Sequence, residues 1–302
     1  MPCYFPREGF RSRSLTANGK RKIVFNASDG YRDLPVTVPC GQCLGCRLER
    51  SRQWSVRLMH ENQMHELSAF VTLTYSDQEL PESGSLVKSH FQAFMKRLRK
   101  FHGSQIRYFH CGEYGETTRR PHYHAILYGI DFADKKPHKK TPQGDQLWTS
   151  ETLDKIWGKG HCLIGQVSQQ SAAYVARYIM KKVNGEAAQE HYRNINLATG
   201  EIYDLQPEYV TMSLKPGIGA TWYERFRLDV FPSDTVIQGG RENLPPKYYL
   251  GLLARESERA SQKVKAKRIR RAKKHSADST PERLRARLTV KQSQISQLKR
   301  TL

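Results

Sequence analysis

The stretch Pro121-His122-Tyr123-His124-Ala125-Ile126-Leu127 decides the fold and indicates its chemistry. Its β-branched, aromatic and aliphatic residues favour a strand, predicted from His122 to Tyr128. Successive strand side chains point to opposite faces of a sheet. His122 and His124 therefore share one face and can reach a single metal ion, while the odd-numbered residues of the stretch point into a core.

A carboxylate that could complete this site lies just upstream. A strand is predicted from Gln105 to Cys111, followed by a Gly- and charge-rich turn from Gly112 to Arg120. In an antiparallel hairpin, Glu113 returns beside the two histidines, and Glu116 is the competing choice. Two imidazoles and one carboxylate suit Mg²⁺ or Mn²⁺ when phosphate and water complete the shell, with Zn²⁺ as an alternative. Two exposed histidines without a metal are the other interpretation.

Two tyrosines four residues apart form the second candidate group. Tyr174 and Tyr178 share one face of a helix predicted from Ser168 to Val183. A phenol has a pKa of about 10, so it needs a polarised target or a nearby positive charge, which Lys181 can provide. Attack on a phosphodiester gives a phosphotyrosine linkage that can pass to another hydroxyl. Half-buried helix aromatics without a catalytic role are the alternative.

The composition favours a polyanionic partner. The 302 residues include 50 Lys+Arg and 29 Asp+Glu, for a net charge of +21. Nucleic acid is the commonest partner of such chains, and an anionic membrane surface is the rival. No apolar run is long enough to span a bilayer, and the N-terminus lacks the apolar segment of a signal peptide. We therefore expect a cytoplasmic protein with reduced cysteines.

Four cysteines have the spacing of metal ligands. Cys40, Cys43 and Cys46 are separated by two residues each, and Cys3 can be the fourth ligand. In a cytoplasmic chain this pattern favours structural Zn²⁺ over disulfides. An iron–sulfur cluster and unligated cysteines remain alternatives. Cys111 and Cys162 are predicted core residues.

The order of elements predicts an α+β fold. From residue 69 to 183 the pattern is strand–helix–strand–strand–helix–strand, which indicates an antiparallel sheet with helices packed on one face. Residues 131–145 are polar and predict a loop, and Trp148–Trp157 predicts a helix. In the first long helix, an apolar stripe is predicted from Phe91, Phe94, Leu98 and Phe101.

Four regions are expected along the chain. Residues 1–66 form a cysteine-containing segment with a basic helix, 67–184 the sheet-containing core, 185–250 an extension packed on that core, and 251–302 a basic tail, disordered or helical. The tail has 16 Lys+Arg against 4 Asp+Glu, which favours binding to a phosphate backbone over a merely solvated helix. Before a later predicted helix, the turn 217–219 could hold a phosphate on its N–H groups or be an ordinary loop.

Three motifs in order resemble a known family. They are Phe70–Tyr75, Pro121–His124 and Tyr174–Lys181, and together they resemble the HUH endonucleases. The likeness is to the replication-initiation proteins of the Microviridae, small single-stranded DNA phages, of gokushovirus type. The openings Met1–Tyr4 and Cys40–Cys43 are also similar to that group.

The resemblance implies a ferredoxin-like or RNA-recognition-motif-like sheet with the metal on its open face. It implies Glu113, His122 and His124 as metal ligands, Tyr174 and Tyr178 as nucleophiles, and Lys181 as their helper. It further implies nicking of single-stranded DNA at a viral origin through a 5′-phosphotyrosine, with a host DNA polymerase and helicase as partners in the bacterial cytoplasm.

Residues and resemblance together predict a metal-dependent DNA endonuclease and strand transferase that initiates rolling-circle replication. Two alternatives remain open. The first is a plasmid relaxase or transposase with the same chemistry. The second is a non-catalytic protein that binds or packages DNA.

Overall fold

A computed structural model of the chain describes residues 2–115, 117–178, 187–195 and 200–297, without the side chains of residues 178 and 187. The chain divides into two compact units. Residues 1–50 and 262–300 form unit 1, and residues 51–261, with 301–302, form unit 2. The region boundaries expected after residues 66, 184 and 250 stay a prediction.

The described residues form the following strands and helices. The strands are β1 (Arg7–Leu15), β2 (Arg21–Val24), β3 (Gly30–Val38), β4 (Ser68–Thr74), β5 (Arg107–Tyr114), β6 (Pro121–Tyr128), β7 (Lys136–Lys140), β8 (Gln146–Thr149), β9 (Cys162–Gly165), β10 (Arg193–Ile195), β11 (Ile202–Asp204), β12 (Tyr209–Met212), β13 (Val236–Gln238) and β14 (Arg241–Asn243). The helices are α1 (Leu44–Asn62), α2 (Lys88–His102), α3 (Glu151–Trp157), α4 (Gln169–Tyr178), α5 (Ala187–Tyr192), α6 (Ala220–Val230), α7 (Lys247–Glu256), α8 (Glu258–Lys274) and α9 (Pro281–Ser296).

A seven-stranded sheet organises unit 2. Its strand order is β12-β5-β6-β4-β9-β8-β7, and every neighbouring pair is antiparallel. The predicted α+β class with an antiparallel sheet is confirmed. The hairpin of β5 and β6 forms as predicted, because the polar, Gly-containing turn between two apolar runs returns the chain on itself.

One face of this sheet packs against α2 and α3. Tyr123, Ala125 and Leu127 of β6 are fully buried there, as predicted from the alternation of side chains along the strand. Of the predicted stripe of α2, Phe91, Phe94 and Leu98 are buried. The prediction for Phe101 is wrong. It is 65% exposed, because the helix ends one residue later, and Met95 is the fourth buried residue of α2.

Helices also cover part of the opposite face, which corrects the prediction of helices on one face only. Leu58 of α1 and Val175 and Ala176 of α4 pack there against Phe109, Cys111, Ile126 and Tyr128. Strands β5 and β6 are therefore apolar on both faces over much of their length. A sheet with two apolar faces must bury both. Cys111 and Cys162 are buried, as predicted.

Two further segments differ from prediction. The lysine-rich part of residues 131–145 forms the edge strand β7, which pairs with β8, although a loop was predicted. Every residue of β7 is exposed, so it lacks the apolar alternation that marks a strand. Trp148 belongs to β8, and the helix predicted from it begins at Glu151, where the Ser150 hydroxyl accepts a hydrogen bond from the Leu153 N–H.

Unit 1 contains a three-stranded antiparallel sheet of order β2-β1-β3. Most of α8 and the whole of α9 also belong to it. Of the two states expected for the basic tail, its described part is helical. Val264 and Leu284 are buried in these helices, whereas most of their other residues are exposed. Among the described residues, no helix combines the length and the apolar character needed to cross a membrane.

Candidate metal centre

The β5–β6 hairpin brings the three predicted metal ligands together. Glu113 lies directly opposite His122 in the strand register, and Cys111 lies opposite His124. The three side chains therefore project from the same sheet face. Glu113 Oε1 is 2.9 Å from Nε2 of His122 and 2.8 Å from Nε2 of His124. One carboxylate oxygen thus faces both imidazoles, as a shared cation would require.

The hydrogen bond at Nδ1 of His122, the ring nitrogen that faces away from Glu113, explains why the group of Glu113, His122 and His124 favours a cation. His122 Nδ1 lies 3.1 Å from the carbonyl oxygen of Arg120, and a carbonyl can only accept. In a neutral ring the proton is therefore on Nδ1, and the Nε2 lone pair faces the carboxylate. Two such acceptors repel unless a proton or a metal ion lies between them. The donor set consequently fits a divalent cation.

His124 is oriented by Thr72 on β4, whose Oγ1 is 2.9 Å from His124 Nδ1. The two residues are directly opposite in the strand register. Hydrogen bonds to the outer nitrogen fix the ring orientation of metal-ligating histidines and raise their basicity. Thr72 was not among the site residues predicted from the sequence. Thr72 lies on the same sheet face as the histidines because β4 pairs with β6, and neither strand's own sequence shows that pairing.

Electrostatics keep Glu113 ionised. Its burial opposes ionisation, but the contacts with His122 and His124 outweigh this effect and hold the pKa of Glu113 well below its usual range. His110 lies one strand position away from Cys111, on the opposite face. Complete burial, with smaller contributions from His124 and Lys88, lowers the pKa of His110 far below normal. His110 therefore stays neutral.

Helix α4 brings Tyr174 to this centre. The Tyr174 hydroxyl lies 3.3 Å from Glu113 Oε1 and 3.4 Å from His124 Nε2. Its ring is perpendicular to the His124 ring, with centroids 5.1 Å apart. The Arg177 guanidinium carbon is 5.8 Å from the centroid of the Tyr174 ring. The first predicted nucleophile is thus beside the predicted metal ligands, with a cation near its ring.

The beginning of α4 is well defined. Ser171 donates its N–H to the Ser168 hydroxyl, and Ser168 donates its N–H to the Ser171 hydroxyl. This reciprocal pair satisfies N–H groups that a helix start leaves open. The described part of the helix reaches Tyr178. The side chain of Tyr178, together with Glu116 and Lys181, lies outside the described residues, so the roles of these side chains stay predictions.

The three candidate ligands differ in their exposure to solvent. The His122 side chain is 18% exposed, against 8% for His124 and 2% for Glu113. Phe70 contributes to the buried side, since its ring is parallel to the His124 ring and perpendicular to the Tyr174 ring. His122 is therefore the most accessible of the three candidate ligands.

A second group of candidate ligands lies in unit 1. Cys3, Cys40, Cys43 and Cys46 place their sulfur atoms within 4.8 Å of one another. Burial alone would raise the pKa of Cys43, but hydrogen bonds from the N–H groups of Cys46 and Tyr4 and from neighbouring thiols lower it to about 6. The structure therefore brings the four predicted cysteine ligands together.

The turn at residues 217–219 does not present a free anion site at Gly219. The Gly219 N–H donates to Glu61 Oε2 at 2.6 Å, and Arg57 donates to the carbonyl oxygen of Ile218. Hydrogen bonds from Gly219, His65 and Arg107 hold the pKa of Glu61 below normal against its burial. A carboxylate of the chain itself takes the place where a phosphate was considered, which favours the structural interpretation.

Comparisons with known proteins identify relatives of this chain. The family model described as "Replication-associated protein ORF2/G2P" matches residues 68–183, which include β4, the hairpin and α4. The chain is 33% identical over 242 residues to "Replication-associated protein VP4" of Bdellovibrio phage phiMH2K, covering 77% of this chain and 72% of that protein. It is 33% identical over 235 residues to "Replication-associated protein ORF2" of Spiroplasma virus 4, covering 73% and 68%.

A third similar protein is "Replication-associated protein ORF4" of Chlamydia phage 1, which is 29% identical over 167 residues, or 51% of this chain and 41% of that protein. No solved structure matches the chain.

Proposed function

Because this chain belongs to the replication-associated proteins of the Microviridae phages, we propose that it initiates rolling-circle replication by nicking single-stranded DNA at the viral origin. The proposed enzyme is a metal-dependent tyrosine endonuclease and strand transferase of HUH type. One observation carries the proposal. The hydroxyl of Tyr174 lies within 3.4 Å of both Glu113 and His124, and the neighbouring His122 is partly exposed to solvent.

The strand order supports the finer fold assignment. Strands β4, β5, β6 and β9 with helices α2 and α3 follow the sequence strand–helix–strand–strand–helix–strand. In the sheet, the same strands are ordered β5-β6-β4-β9, so the first strand lies between the third and the fourth. This is the split arrangement of ferredoxin-like sheets. The candidate centre is on the face that α1 and α4 cover only in part.

In the proposed reaction, Glu113, His122 and His124 hold a divalent cation, Mg²⁺ or Mn²⁺. When bound, the cation polarises the scissile phosphate as a Lewis acid. Thr72 keeps His124 in the orientation in which Nε2 faces Glu113 and the proposed cation. Glu113, ionised by its two imidazole partners, balances the added positive charge. Phe70 excludes water from the buried side of the His124 ring.

Tyr174 acts as a nucleophile. Its oxygen bonds to phosphorus as the P–O3′ bond breaks, which leaves a 5′-phosphotyrosine and a free 3′-hydroxyl. The phenol proton passes to solvent, and the leaving oxygen takes up one proton. Because the phenolate is a competent leaving group, a later 3′-hydroxyl can displace it and restore a phosphodiester. Tyr178 is proposed as the second nucleophile and Lys181 as a nearby positive charge.

The distribution of charge supports DNA as the partner. Unit 1 has 23 Lys+Arg and 6 Asp+Glu, a balance of +17 of the +21 in the whole chain. Unit 2, with the candidate nuclease centre, is close to neutral. We propose that unit 1 supplies the phosphate contacts that retain DNA without base readout. A host polymerase would extend the free 3′-hydroxyl in the bacterial cytoplasm, with a host helicase opening the duplex.

A nicking assay tests the proposal. The full chain is incubated with single-stranded fragments that together span the phage genome, with Mn²⁺ or with EDTA, and the products are separated under denaturing conditions. We expect one fragment to be cut with Mn²⁺ only, and a covalent protein–DNA band to accompany the cut. The double variant Tyr174→Phe/Tyr178→Phe should lose that band, and so should His122→Ala/His124→Ala.

The matched control is Tyr203→Phe, at a partly exposed tyrosine on β11, which should behave as the wild type. Binding of all fragments without any cut would instead support the packaging alternative. An adduct that persists in the double tyrosine variant would refute the assignment of the nucleophiles. Efficient joining of unrelated donor and target strands would favour the transposase or relaxase alternative.

A further inference from the structure

We propose that Cys3, Cys40, Cys43 and Cys46 bind one Zn²⁺ ion in a structural four-thiolate site that is separate from the candidate nuclease centre. All four ligand atoms lie within 4.8 Å of one another. The site would connect the N-terminal end of unit 1 to the start of α1. Its assignment depends on the sulfur geometry and not on the proposed nuclease activity.

The distances between sulfur atoms match a tetrahedral zinc site. Cys3 Sγ lies 3.6 Å from Cys40 Sγ and 3.8 Å from Cys43 Sγ. Four thiolates at about 2.3 Å from one Zn²⁺ ion stand roughly 3.8 Å apart at tetrahedral angles. A disulfide would need about 2.05 Å between two sulfur atoms, and all six cysteines are free. The cluster is therefore spaced for a central ion and not for a covalent pair.

Backbone N–H groups support negative charge on these sulfur atoms. Tyr4 donates its N–H to Cys43 Sγ at 3.3 Å, Cys40 to Cys3 Sγ at 3.2 Å, and Cys43 to Cys40 Sγ at 3.3 Å. Each thiol that binds the ion releases its proton to solvent, so four thiolates carry two more charges than the ion neutralises. The N–H groups partly compensate that excess and orient the ligands.

The surrounding chain is built for close approach. Cys46 lies in the first turn of α1, and the next-door Gly45 contacts the N-terminal segment. A Cβ added at Gly45 would lie 2.1 Å from the carbonyl oxygen of Pro2 and 2.9 Å from the Tyr4 ring. Gly41, between the first two cysteines of the triplet, has a φ of +79°, a left-handed conformation that favours glycine. Both glycines allow the two segments to meet.

The spacing of the sulfur atoms also favours a single zinc ion over an iron–sulfur cluster. A four-iron cluster places a cage of irons and sulfides between its thiolates, which would hold them farther apart than these sulfur atoms stand. A single iron ion could occupy the same tetrahedral position, so elemental analysis decides between the two. Because all four positions are sulfur, no site is open for water or substrate, and the role is structural.

The test is the metal content of the purified full chain, expressed with zinc in the medium and dialysed against EDTA to remove weakly held ions. We expect one zinc ion per chain by elemental analysis, released by a mercurial reagent that modifies thiols. Cobalt loading of the metal-free protein should give thiolate-to-cobalt charge-transfer absorption. The double variant Cys40→Ser/Cys43→Ser should lose both the zinc and this absorption.

Three controls keep the result interpretable. Cys162→Ala removes a buried thiol outside the cluster and should keep one zinc ion per chain. His122→Ala/His124→Ala should also keep one zinc ion, which would exclude the candidate nuclease centre as the zinc site. Gly45→Ala should lower zinc retention without removing a ligand. Absence of zinc from the wild type, iron in its place, or equal zinc in the Cys40→Ser/Cys43→Ser variant would overturn the proposal, whatever the nicking assay shows.

Discussion

The hydroxyl of Tyr174 lies 3.4 Å from Nε2 of His124, although the two residues are 50 positions apart in the chain. Helix α4 supplies the first and strand β6 the second. A phenol and an imidazole from two separate sequence motifs thus meet at one carboxylate. The experiments below ask whether that contact has the proposed chemical role.

Tyr174 should carry DNA after the nicking reaction. Trypsin cleaves after Lys159, Arg177 and Lys181, so Tyr174 and Tyr178 fall on different peptides, 160–177 and 178–181. We expect mass spectrometry of the digested adduct to find a nucleotide on the peptide 160–177, because its tyrosine oxygen contacts the candidate metal ligands. A nucleotide that is found on 178–181 alone would remove Tyr174 from the mechanism.

Replacing Thr72 with Val should weaken metal binding. Val keeps the shape of the side chain but cannot bond to His124 Nδ1, so the ring loses the partner that orients it. Loss of such a partner typically lowers metal affinity by roughly 10- to 100-fold, and we expect a decrease of that size for Mn²⁺ by titration calorimetry.

Thr74→Val is the matched control for that experiment. Thr74 lies on the same face of β4 as Thr72, but its hydroxyl donates to the carbonyl oxygen of His161. Manganese affinity should therefore stay close to that of the wild type. Equal losses in both variants would mean that strand β4, and not the bond to His124, determines the affinity.

Unit 2 should lose stability in acid through His60. Burial between Trp222 and Tyr249 lowers the pKa of His60 to about 3. The unfolded chain binds a proton below about pH 6.5, whereas the folded chain does not until near pH 3. Stability is therefore greatest above pH 6.5 and decreases as the pH falls. At pH 5 the expected loss is about 2 kcal/mol.

Urea unfolding of the wild type and of His60→Gln at pH 8 and pH 5 measures this loss. Gln has no proton to gain, so the variant should be less stable at pH 8 but should lose about 2 kcal/mol less on going to pH 5. Parallel pH profiles for the two proteins would show that another group causes the acid sensitivity.

The basic helix α8 should set the salt dependence of DNA binding. Lys265→Gln/Lys273→Gln removes two exposed charges from α8. On single-stranded DNA, the slope of log affinity against log salt should become shallower by about 1.4. The control Lys96→Gln/Lys100→Gln removes two exposed charges from α2 and should change the slope much less. Equal effects would place the phosphate contacts on both units.

Much of the candidate site could be inferred because the alternation of side chains between the two faces of a strand is a local property of the sequence. The alternation in β6 placed His122 and His124 on one face, and the short connection to β5 returned Glu113 to them. Thr72 could not be identified in the same way, since its position depends on which strand pairs with β6. That pairing is non-local and is decided by packing across the whole sheet.

The parts of the fold that sequence analysis missed share a physical cause. Strand β7 pairs at a sheet edge through its backbone while all its side chains face solvent, so no apolar pattern marks it. The second covered face arises because Phe109 and Cys111 pack against residues of α1 and α4, and this non-local contact is not marked in the sequence of β5 itself. The turn at Gly219 resembled a phosphate site until the fold brought Glu61 to it.

Because Glu113 pairs with His122, the candidate centre is sensitive to insertions in the strands of the hairpin but tolerates insertions at its tip. A residue inserted within β5 ahead of Glu113 would turn that side chain through the sheet and separate the acid from both imidazoles. Residues added to the tip of the hairpin would leave the pairing intact. Among natural variants of this chain, we therefore expect insertions and deletions to accumulate at the tip and to be eliminated from the two strands.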